Sequence, residues 1–99
     1  MFISGGENVY PAEIERVLLG HPGIQDAAVV GVPDEKWGEV GKAYIVLRDG
    51  HPMTQEQVSD FLKDKVAKYK IPKYVEFTRE LPKTASEKIQ KHLLRNNHP

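Results

Sequence analysis

The stretch IQDAAVVGVPDEKWGEVGKAYIVL, residues 24–47, decides the fold because it contains two apolar runs of strand length. Residues 24–32 are mostly small or β-branched, residues 43–47 form a second such run, and turn-forming residues follow each of them. Both runs are typical of strands. Residues 32–42 contain many turn-forming and charged residues, which predicts a loop with Trp37 as its one large apolar anchor.

Helical patterns flank the two predicted strands. Before them, Pro11 suits a first helical turn, and apolar residues at helical spacing follow until Gly20. After them, Thr54 and Gln57 form a capping-box pattern ahead of a second run at helical spacing. The sequence predicts that this second helix continues to Ile71, which precedes a proline.

The rest of the chain completes an α+β pattern. Residues 74–77, YVEF, predict a short strand, and Ser86 is expected to cap a last helix with Ile89 and Leu93 on its apolar face. The order helix, strand, strand, helix, strand, helix is typical of a small sheet covered by about three helices. Ninety-nine residues, 39% of them hydrophobic, fit one domain. The terminal NNHP, residues 96–99, is expected to be frayed.

The composition excludes several classes of protein. The chain has no cysteine, so a disulfide framework and a thiolate zinc site are excluded. It contains no apolar stretch long enough for a transmembrane helix and no signal-peptide pattern, so we expect a cytoplasmic protein. Four histidines are too scattered to predict a metal site: His21, His51, His92 and His98.

Charge is distributed unevenly, although the net charge is zero. Residues 1–62 carry ten acidic and four basic residues, whereas residues 63–95 carry ten basic and four acidic ones. The second segment is expected to attract anions, unless it is an ordinary solvated surface. Three aromatic residues lie among its basic residues, so a stand-alone, non-catalytic α+β module that binds nucleic acid is an open alternative, although no stacking motif accompanies them.

Two short stretches hold the candidate functional residues. SGGEN, residues 4–8, is either a loop whose glycines let a ligand approach the backbone or a turn that enters the first helix. LPKTASEKIQK, residues 81–91, places Glu87 and Lys88 directly after small and hydroxyl residues. By residue type alone, Lys88 would be an ordinary surface lysine.

Four blocks together resemble the C-terminal domain of the AMP-forming acyl-CoA synthetases, the adenylate-forming superfamily that includes coumarate ligases and firefly luciferase. The sequences of these blocks are most similar to those of fatty-acid and aromatic-acid coenzyme A ligases. The blocks follow the family's order and cover almost the whole chain: SGGENVYPAEIE (4–15), GVPDEKWGE (31–39), YKIPKYVEF (69–77) and LPKTASEKIQK (81–91).

This resemblance implies a two-step ligase. In the family, a larger N-terminal domain binds ATP, Mg²⁺ and a carboxylic acid and forms an acyl-adenylate, and the C-terminal domain then rotates so that coenzyme A can attack. Residues 1–99 are expected to be this C-terminal domain without the N-terminal domain and hinge that precede it. We therefore expect the chain to be inactive alone.

The resemblance also implies roles for individual residues. Lys88 matches the family's catalytic lysine, whose compact ammonium group can hold a carboxylate and the α-phosphate of ATP in line. Ser4, Gly5 and Gly6 match the residues beside the pantetheine arm of coenzyme A, and Asn8 matches a contact on the adenylate side. The matching lysine is acetylated in some relatives, so a lysine acetyltransferase is an expected partner.

Glu87 departs from the family pattern, because relatives carry glycine before the catalytic lysine. A glutamate with negative φ cannot reproduce the tight turn that glycine allows, and its charge lies beside a site for two anions. We therefore expect Glu87 to impair adenylation. The alternative is a benign position in the first turn of a helix capped by Ser86, with the side chain in solvent.

Overall fold

A mixed five-stranded sheet with helices on both faces is the framework of residues 1–96, the part of the chain that the computed structural model describes. Asn96 ends the last helix, and the rest of the predicted frayed end, with His98, lies outside the described residues. The predicted α+β fold class is confirmed. In chain order the elements are β1 (Phe2–Ser4), β2 (Glu7–Val9), α1 (Pro11–Leu19), β3 (Ile24–Asp34), β4 (Gly38–Leu47), α2 (Gln55–Leu62), a 3₁₀ turn (Lys68–Lys70), β5 (Tyr74–Phe77) and α3 (Lys91–Asn96).

The centre of the sheet is a long antiparallel hairpin of β3 and β4. Its pairing runs from Ile24 opposite Leu47 to Asp34 opposite Gly38. On the other side of β4, β1 pairs at Gly38 and β5 runs parallel further along the strand. β2 pairs with β1, so the sheet has the order β2-β1-β4-β3 with β5 beside β4.

The loop predicted over residues 32–42 is too long, because only residues 35–37 separate β3 and β4, and the rest of the predicted loop belongs to these strands. Val40 is buried in β4, and the glycines of this segment do not interrupt the strands. Gly41, and Gly31 just before the segment, accommodate Phe2, since a Cβ on Gly31 would lie 2.7 Å from the Cβ of Phe2 and one on Gly41 would lie 3.4 Å from its Cζ. Glycine in a strand can mark such a close approach as well as a turn.

Each face of the sheet has its own hydrophobic cluster, because successive side chains of a strand point to opposite faces. Burial on both faces explains why β3 and β4 have continuous apolar runs instead of an alternating pattern. The cluster under α1 and α2 includes Phe2, Val9, Ile14, Leu18, Ile24, Ala27, Val29, Ala43, Ile45, Val58 and Leu62. The cluster under α3 includes Ala28, Val30, Val32, Val40, Tyr44, Val46, Leu81 and Leu94.

The predicted capping box at the start of α2 is confirmed. The Thr54 hydroxyl accepts the N–H of Gln57, and the Gln57 side chain accepts the N–H of Thr54. The helix ends at Leu62, however, and does not continue to Ile71. Residues 63–65 form a turn, and Pro72 packs further along the chain against Gly41 of β4, whose carbonyl accepts the Lys73 backbone N–H.

The predicted last helix is also misplaced. Ser86 lies in a turn, and α3 begins only at Lys91. Leu94 packs into the sheet and its carbonyl accepts the Tyr44 hydroxyl at 2.8 Å, whereas Leu93 is 41% exposed. No helix of the described residues is long and apolar enough to cross a membrane.

The uneven charge along the chain is largely neutralised by the fold. Four lysines of the basic segment form ion pairs with acidic residues of the first 62, so fewer positive charges are available to attract anions than the sequence suggests. The pairs are Lys70–Glu13 at 2.9 Å, Lys73–Asp34 at 2.9 Å, Lys83–Asp26 at 2.9 Å and Lys91–Glu15 at 2.7 Å.

Candidate functional site

Gly5 and Gly6 form the two-residue turn of the β1–β2 hairpin. Their φ angles are 57° and 84°. Two positive φ angles in succession are typical of a type I′ turn, whose twist matches that of a hairpin. The SGGEN stretch therefore leads into a strand and not directly into α1.

The two glycines have different surroundings. A Cβ on Gly5 would lie 2.7 Å from Cε3 of Trp37, and the Gly5 N–H donates to the Trp37 carbonyl at 2.9 Å. Apart from residues 5–7 themselves, no atom of residues 1–96 lies within 4 Å of the position that a Cβ on Gly6 would occupy. Gly5 is therefore required for packing against the indole ring, while Gly6 leaves open space at the surface.

A depression of about 550 Å³ lies beside this turn, and its surface is mainly apolar. Trp37 and Tyr69 are 47% and 42% exposed and contribute aromatic walls, Lys68 and Lys73 add two positive charges, and Glu7 adds one negative charge. Aromatic rings beside ammonium groups suit a ligand that has a flat or apolar part and anionic groups. We call this depression the aromatic pocket.

Asp34 joins two segments that line the aromatic pocket. Its Oδ2 accepts the N–H groups of Lys36 and Trp37, and its Oδ1 lies 2.9 Å from the Lys73 Nζ. The hydrogen bond from Lys73, followed by that from the Trp37 N–H, lowers the pKa of Asp34. The same bond is the main cause that raises the pKa of Lys73.

Residues 82–90 form a second short hairpin, the lysine hairpin. The Thr84 N–H donates to the Lys88 carbonyl at 2.8 Å, the Glu87 N–H donates to the Thr84 carbonyl at 2.9 Å, and the Thr84 hydroxyl accepts the Lys88 N–H at 3.2 Å. This pattern is typical of a three-residue loop in which a type I turn precedes a residue in the left-handed region. The hairpin explains why no helix starts at Ser86.

Glu87 occupies that left-handed position, with φ 66°, and is the one non-glycine residue with positive φ among those described. The expectations of a negative φ and of a place in a helical first turn are therefore both wrong. Glutamate adopts the turn that glycine would form, at a cost of roughly 1–2 kcal/mol. Its side chain is 83% exposed and lies 3.9 Å from the Lys83 Nζ.

The lysine hairpin holds its two lysines differently. Lys83 lies 2.9 Å from Asp26 on β3, and this hydrogen-bonded pair raises the pKa of Lys83 and anchors the hairpin. Lys88 is exposed, and its Nζ has no ion pair or hydrogen bond within the described part of the chain. Its backbone is nevertheless fixed by Thr84, so an available ammonium group stands on an ordered turn.

The glycine turn and the lysine hairpin lie at opposite ends of the β3–β4 hairpin. Ser4, beside the turn, pairs with Gly38 at the start of β4. Asp26, which anchors Lys83, lies opposite Val46 near the end of β4. The eight residue-to-residue steps along β4 from Gly38 to Val46 correspond to about 25 Å.

The structure therefore places the predicted site residues in two groups. Ser4, Gly5, Gly6 and Asn8 belong to one hairpin, with Ser4 buried and Asn8 exposed, and Lys88 stands apart from them. The aromatic pocket was not predicted, because Trp37 was interpreted as the apolar anchor of a loop and not as a binding residue. Asp34, three residues earlier, is the sequence signal that indicates an exposed Trp37. Aspartate commonly caps a turn in this way and leaves the turn residues at the surface.

The chain matches the family model of the AMP-binding enzyme C-terminal domain over residues 13–88. It is 54% identical over 91 residues to feruloyl-CoA synthase of an Amycolatopsis species, covering 92% of this chain and 18% of that protein. It is 48% identical to 2-succinylbenzoate–CoA ligase of Geobacillus strain WCH70 over 99 residues, covering 100% of this chain and 20% of that protein. The solved structure of a Mycobacterium tuberculosis fatty acyl CoA synthetase superposes with a TM-score of 0.92 at 45% identity, covering 99% of this chain and 19% of that one. The chain thus spans about a fifth of the length of these relatives.

Proposed function

The chain belongs to the family of AMP-binding enzyme C-terminal domains, and from this we propose that residues 1–99 work within an ATP-dependent acid–coenzyme A ligase whose larger N-terminal domain forms the acyl-adenylate. The relatives are named as coenzyme A synthases, synthetases and ligases, which supports this reaction class. The observation that carries the proposal is that one rigid hairpin presents two separate sites, an available lysine at one end and an open glycine turn at the other.

Lys88 is proposed to act in the first step. There the carboxylate oxygen of the acid attacks the α-phosphorus of ATP, which gives an acyl-adenylate and releases pyrophosphate. The Lys88 ammonium group would contact both anions, hold them in line and stabilise the charge that develops at phosphorus. Its exposure and its fixed backbone support this role. Acetylation of Lys88 would remove the charge, and a lysine acetyltransferase as partner stays a prediction.

The glycine turn is proposed to act in the second step. There the thiol of coenzyme A attacks the acyl carbonyl, the thioester forms and AMP leaves. The open space at Gly6 would admit the pantetheine arm beside Ser4 and Gly5. The aromatic pocket suits the rest of coenzyme A, which has a flat adenine and anionic phosphates. Asn8, exposed on the same hairpin, is proposed to contact the adenylate.

Mg²⁺ would be held by the N-terminal domain. Within residues 1–96, no group of three or more histidine, aspartate and glutamate side chains could hold a metal ion. The nucleic-acid module is not supported, because the named relatives are ligases and four lysines of the basic segment are paired.

A fusion of the N-terminal part of the Amycolatopsis feruloyl-CoA synthase to this chain (the fusion ligase) tests the proposal. Pyrophosphate exchange with ATP and ferulate measures the first step, and thioester formation from supplied feruloyl-adenylate and coenzyme A measures the second. We expect Lys88→Ala to lower exchange by about 100-fold and to change thioester formation little.

Lys63→Ala is the matched control, because Lys63 is an exposed lysine at the end of α2 and belongs neither to the lining of the aromatic pocket nor to the lysine hairpin. It should leave both steps unchanged. Equal losses in the two steps with Lys88→Ala would contradict the role of Lys88. Equal activity of the N-terminal part with and without this chain would contradict the proposed function as a whole.

A further inference from the structure

Asp34, at the end of β3, holds two walls of the aromatic pocket together. One oxygen accepts the N–H of Trp37 at 2.9 Å, and the other lies 2.9 Å from the Lys73 Nζ. We propose that Asp34 is a positioning residue for coenzyme A, which orients Trp37 and Lys73 without touching the ligand. This inference rests on the proposed function, because it assigns coenzyme A to the aromatic pocket.

Trp37 depends on the turn for its orientation. It lies in the three-residue turn between β3 and β4, and the residue is 47% exposed, so core packing alone does not hold it. The turn is ordered by the Asp34 carboxylate, which accepts N–H groups of both Lys36 and Trp37. The Trp37 carbonyl then accepts the Gly5 N–H, which places the indole ring against the glycine turn.

Lys73 depends on the same carboxylate. Its backbone N–H donates to the Gly41 carbonyl, but its side chain is 52% exposed and has many rotamers in isolation. The ion pair with Asp34 selects a rotamer beside the pocket. An ammonium group has three donors, so one donor beyond those that contact Asp34 and the Tyr74 side chain is available to an anionic group of the ligand.

The Asp34 side chain is buried, with 6% of its surface exposed, so direct contact with a ligand is disfavoured. Its two oxygens serve different segments, which makes the two contacts separable by substitution. Asp34→Asn keeps an oxygen that can accept the Trp37 N–H and removes the charge that binds Lys73. Lys73→Met keeps the turn and removes the ammonium group, and Asp34→Ala removes both contacts.

Trp37 is the only tryptophan of the 99-residue chain, so its fluorescence reports this turn alone. We expect Asp34→Ala to raise the acrylamide quenching of Trp37, while Asp34→Asn stays close to wild type. Asp49→Ala, at an exposed aspartate in the turn after β4, is the control and should leave quenching unchanged. Unchanged quenching in folded Asp34→Ala would overturn the inference.

The fusion ligase tests the link to coenzyme A. Asp34→Ala and Lys73→Met should each raise the KM for coenzyme A by roughly tenfold, the effect of losing one hydrogen bond to a charged group, with pyrophosphate exchange unchanged. Combining Asp34→Asn with Lys73→Met should add little to either single change, because both remove the same ion pair. Equal losses in both steps would indicate a structural role alone and would overturn the inference.

Gly6→Leu separates this inference from the proposed function. If Gly6→Leu raises the KM for coenzyme A and Asp34→Ala does not, the positioning role fails and the proposed function stands. If neither substitution changes that KM, coenzyme A does not use this end of the domain, and the assignment of the pocket fails together with the inference.

Discussion

The Glu15 carboxylate lies 2.7 Å from the Lys91 ammonium group and joins α1 and α3, which cover opposite faces of the sheet. The same carboxylate accepts the backbone N–H of Val29 at 2.8 Å. Val29 belongs to β3, the edge strand of the described sheet. The ion pair therefore covers an edge that could otherwise pair with another chain.

Glu15→Ala should lower the free energy of unfolding by about 1–3 kcal/mol, because the buried Val29 N–H loses its acceptor. Lys91→Met should lower it by less than about 1 kcal/mol, since it removes only a partly exposed ion pair. Urea denaturation of the chain measures both values. Equal losses would mean that the ion pair, and not the backbone hydrogen bond, dominates the stability of this edge.

Gly6→Leu should slow thioester formation in the fusion ligase by roughly tenfold and leave pyrophosphate exchange near wild type, because the side chain fills the proposed path of the pantetheine arm. Gly50→Leu is a matched control. Gly50 has a similar φ, 79° against 84°, and equally open surroundings, but it follows the far end of β4. If both variants slow the thioester step alike, backbone strain explains the effect and the glycine turn loses its assignment.

Substitutions of Glu87 separate backbone strain from charge. Glu87→Gly should raise the free energy of unfolding, by up to about 1 kcal/mol, because it relieves the positive φ of 66° at some entropic cost. If Glu87 lay in the first turn of a helix, Glu87→Gly would instead lower the stability, because the favourable charge at the helix N-terminus would be lost. Glu87→Gln keeps the strain and should leave stability unchanged. Thermal unfolding with circular dichroism distinguishes the two, and equal stabilities would refute strain at this position.

The same two variants test whether Glu87 impairs adenylation. The carboxylate is 83% exposed and near Lys83, so its repulsion of the substrates is weaker than its sequence position implies. Removing one exposed negative charge should lower the activation free energy of adenylation by roughly 0.5 kcal/mol, so both variants should raise pyrophosphate exchange by about twofold. A larger rise with Glu87→Gly alone would assign the impairment to the turn, and no rise would mean that Lys88 works normally beside Glu87.

The pH dependence of the Asp34–Lys73 pair follows from two opposite pKa shifts. The pKa of Asp34 is lowered from 3.8, so its contribution to stability is present above that value and is lost as pH falls through its lower folded-state pKa. The pKa of Lys73 is raised from 10.5, so its contribution is present below that value and is lost as pH rises through its higher folded-state pKa.

The free energy of unfolding should therefore keep the contribution of this pair between about pH 5 and pH 9 and lose it as pH falls below about 3.8. Asp34→Asn should show a smaller acid loss than wild type, because an amide does not titrate. Acrylamide quenching of Trp37 should change little in acid while the chain stays folded, because a protonated carboxyl keeps an oxygen that can accept the Trp37 N–H, as the amide of Asp34→Asn does. Urea denaturation at several pH values measures the loss of stability, and an equal acid loss in Asp34→Asn would assign it to another group.

Local signals in the sequence predicted some elements correctly. The sequence correctly predicted the capping box of Thr54 and Gln57 and the strands that begin in the apolar runs at residues 24 and 43. Each of these features involves neighbours along the chain. Residues 33–34 and 38–42 were wrongly assigned to the loop, because their strand pairing compensates for glycine and charge, which a local pattern does not reveal. The hairpin at residues 82–90 was not predicted, because its turn requires a positive φ at Glu87, a conformation that glutamate rarely adopts.

Predicting the site required more than neighbouring residues. Lys88, Gly5 and Gly6 were named from their motifs, and their roles stay proposals. The aromatic pocket was not predicted, because Trp37 and Tyr69 lie 32 positions apart in the sequence and meet only through the fold. Asp34 connects their segments by an ion pair to Lys73, which no spacing rule indicates.

The placement of the glycine turn and of the lysine hairpin at opposite ends of one stiff β-hairpin has a consequence for timing. An active centre for a small acyl-adenylate is much narrower than the roughly 25 Å between these ends. In the proposed ligase, such a centre could receive only one end of the domain at any moment. The two half-reactions would then exclude each other in time, and locking either end in place would halt turnover after a single half-reaction.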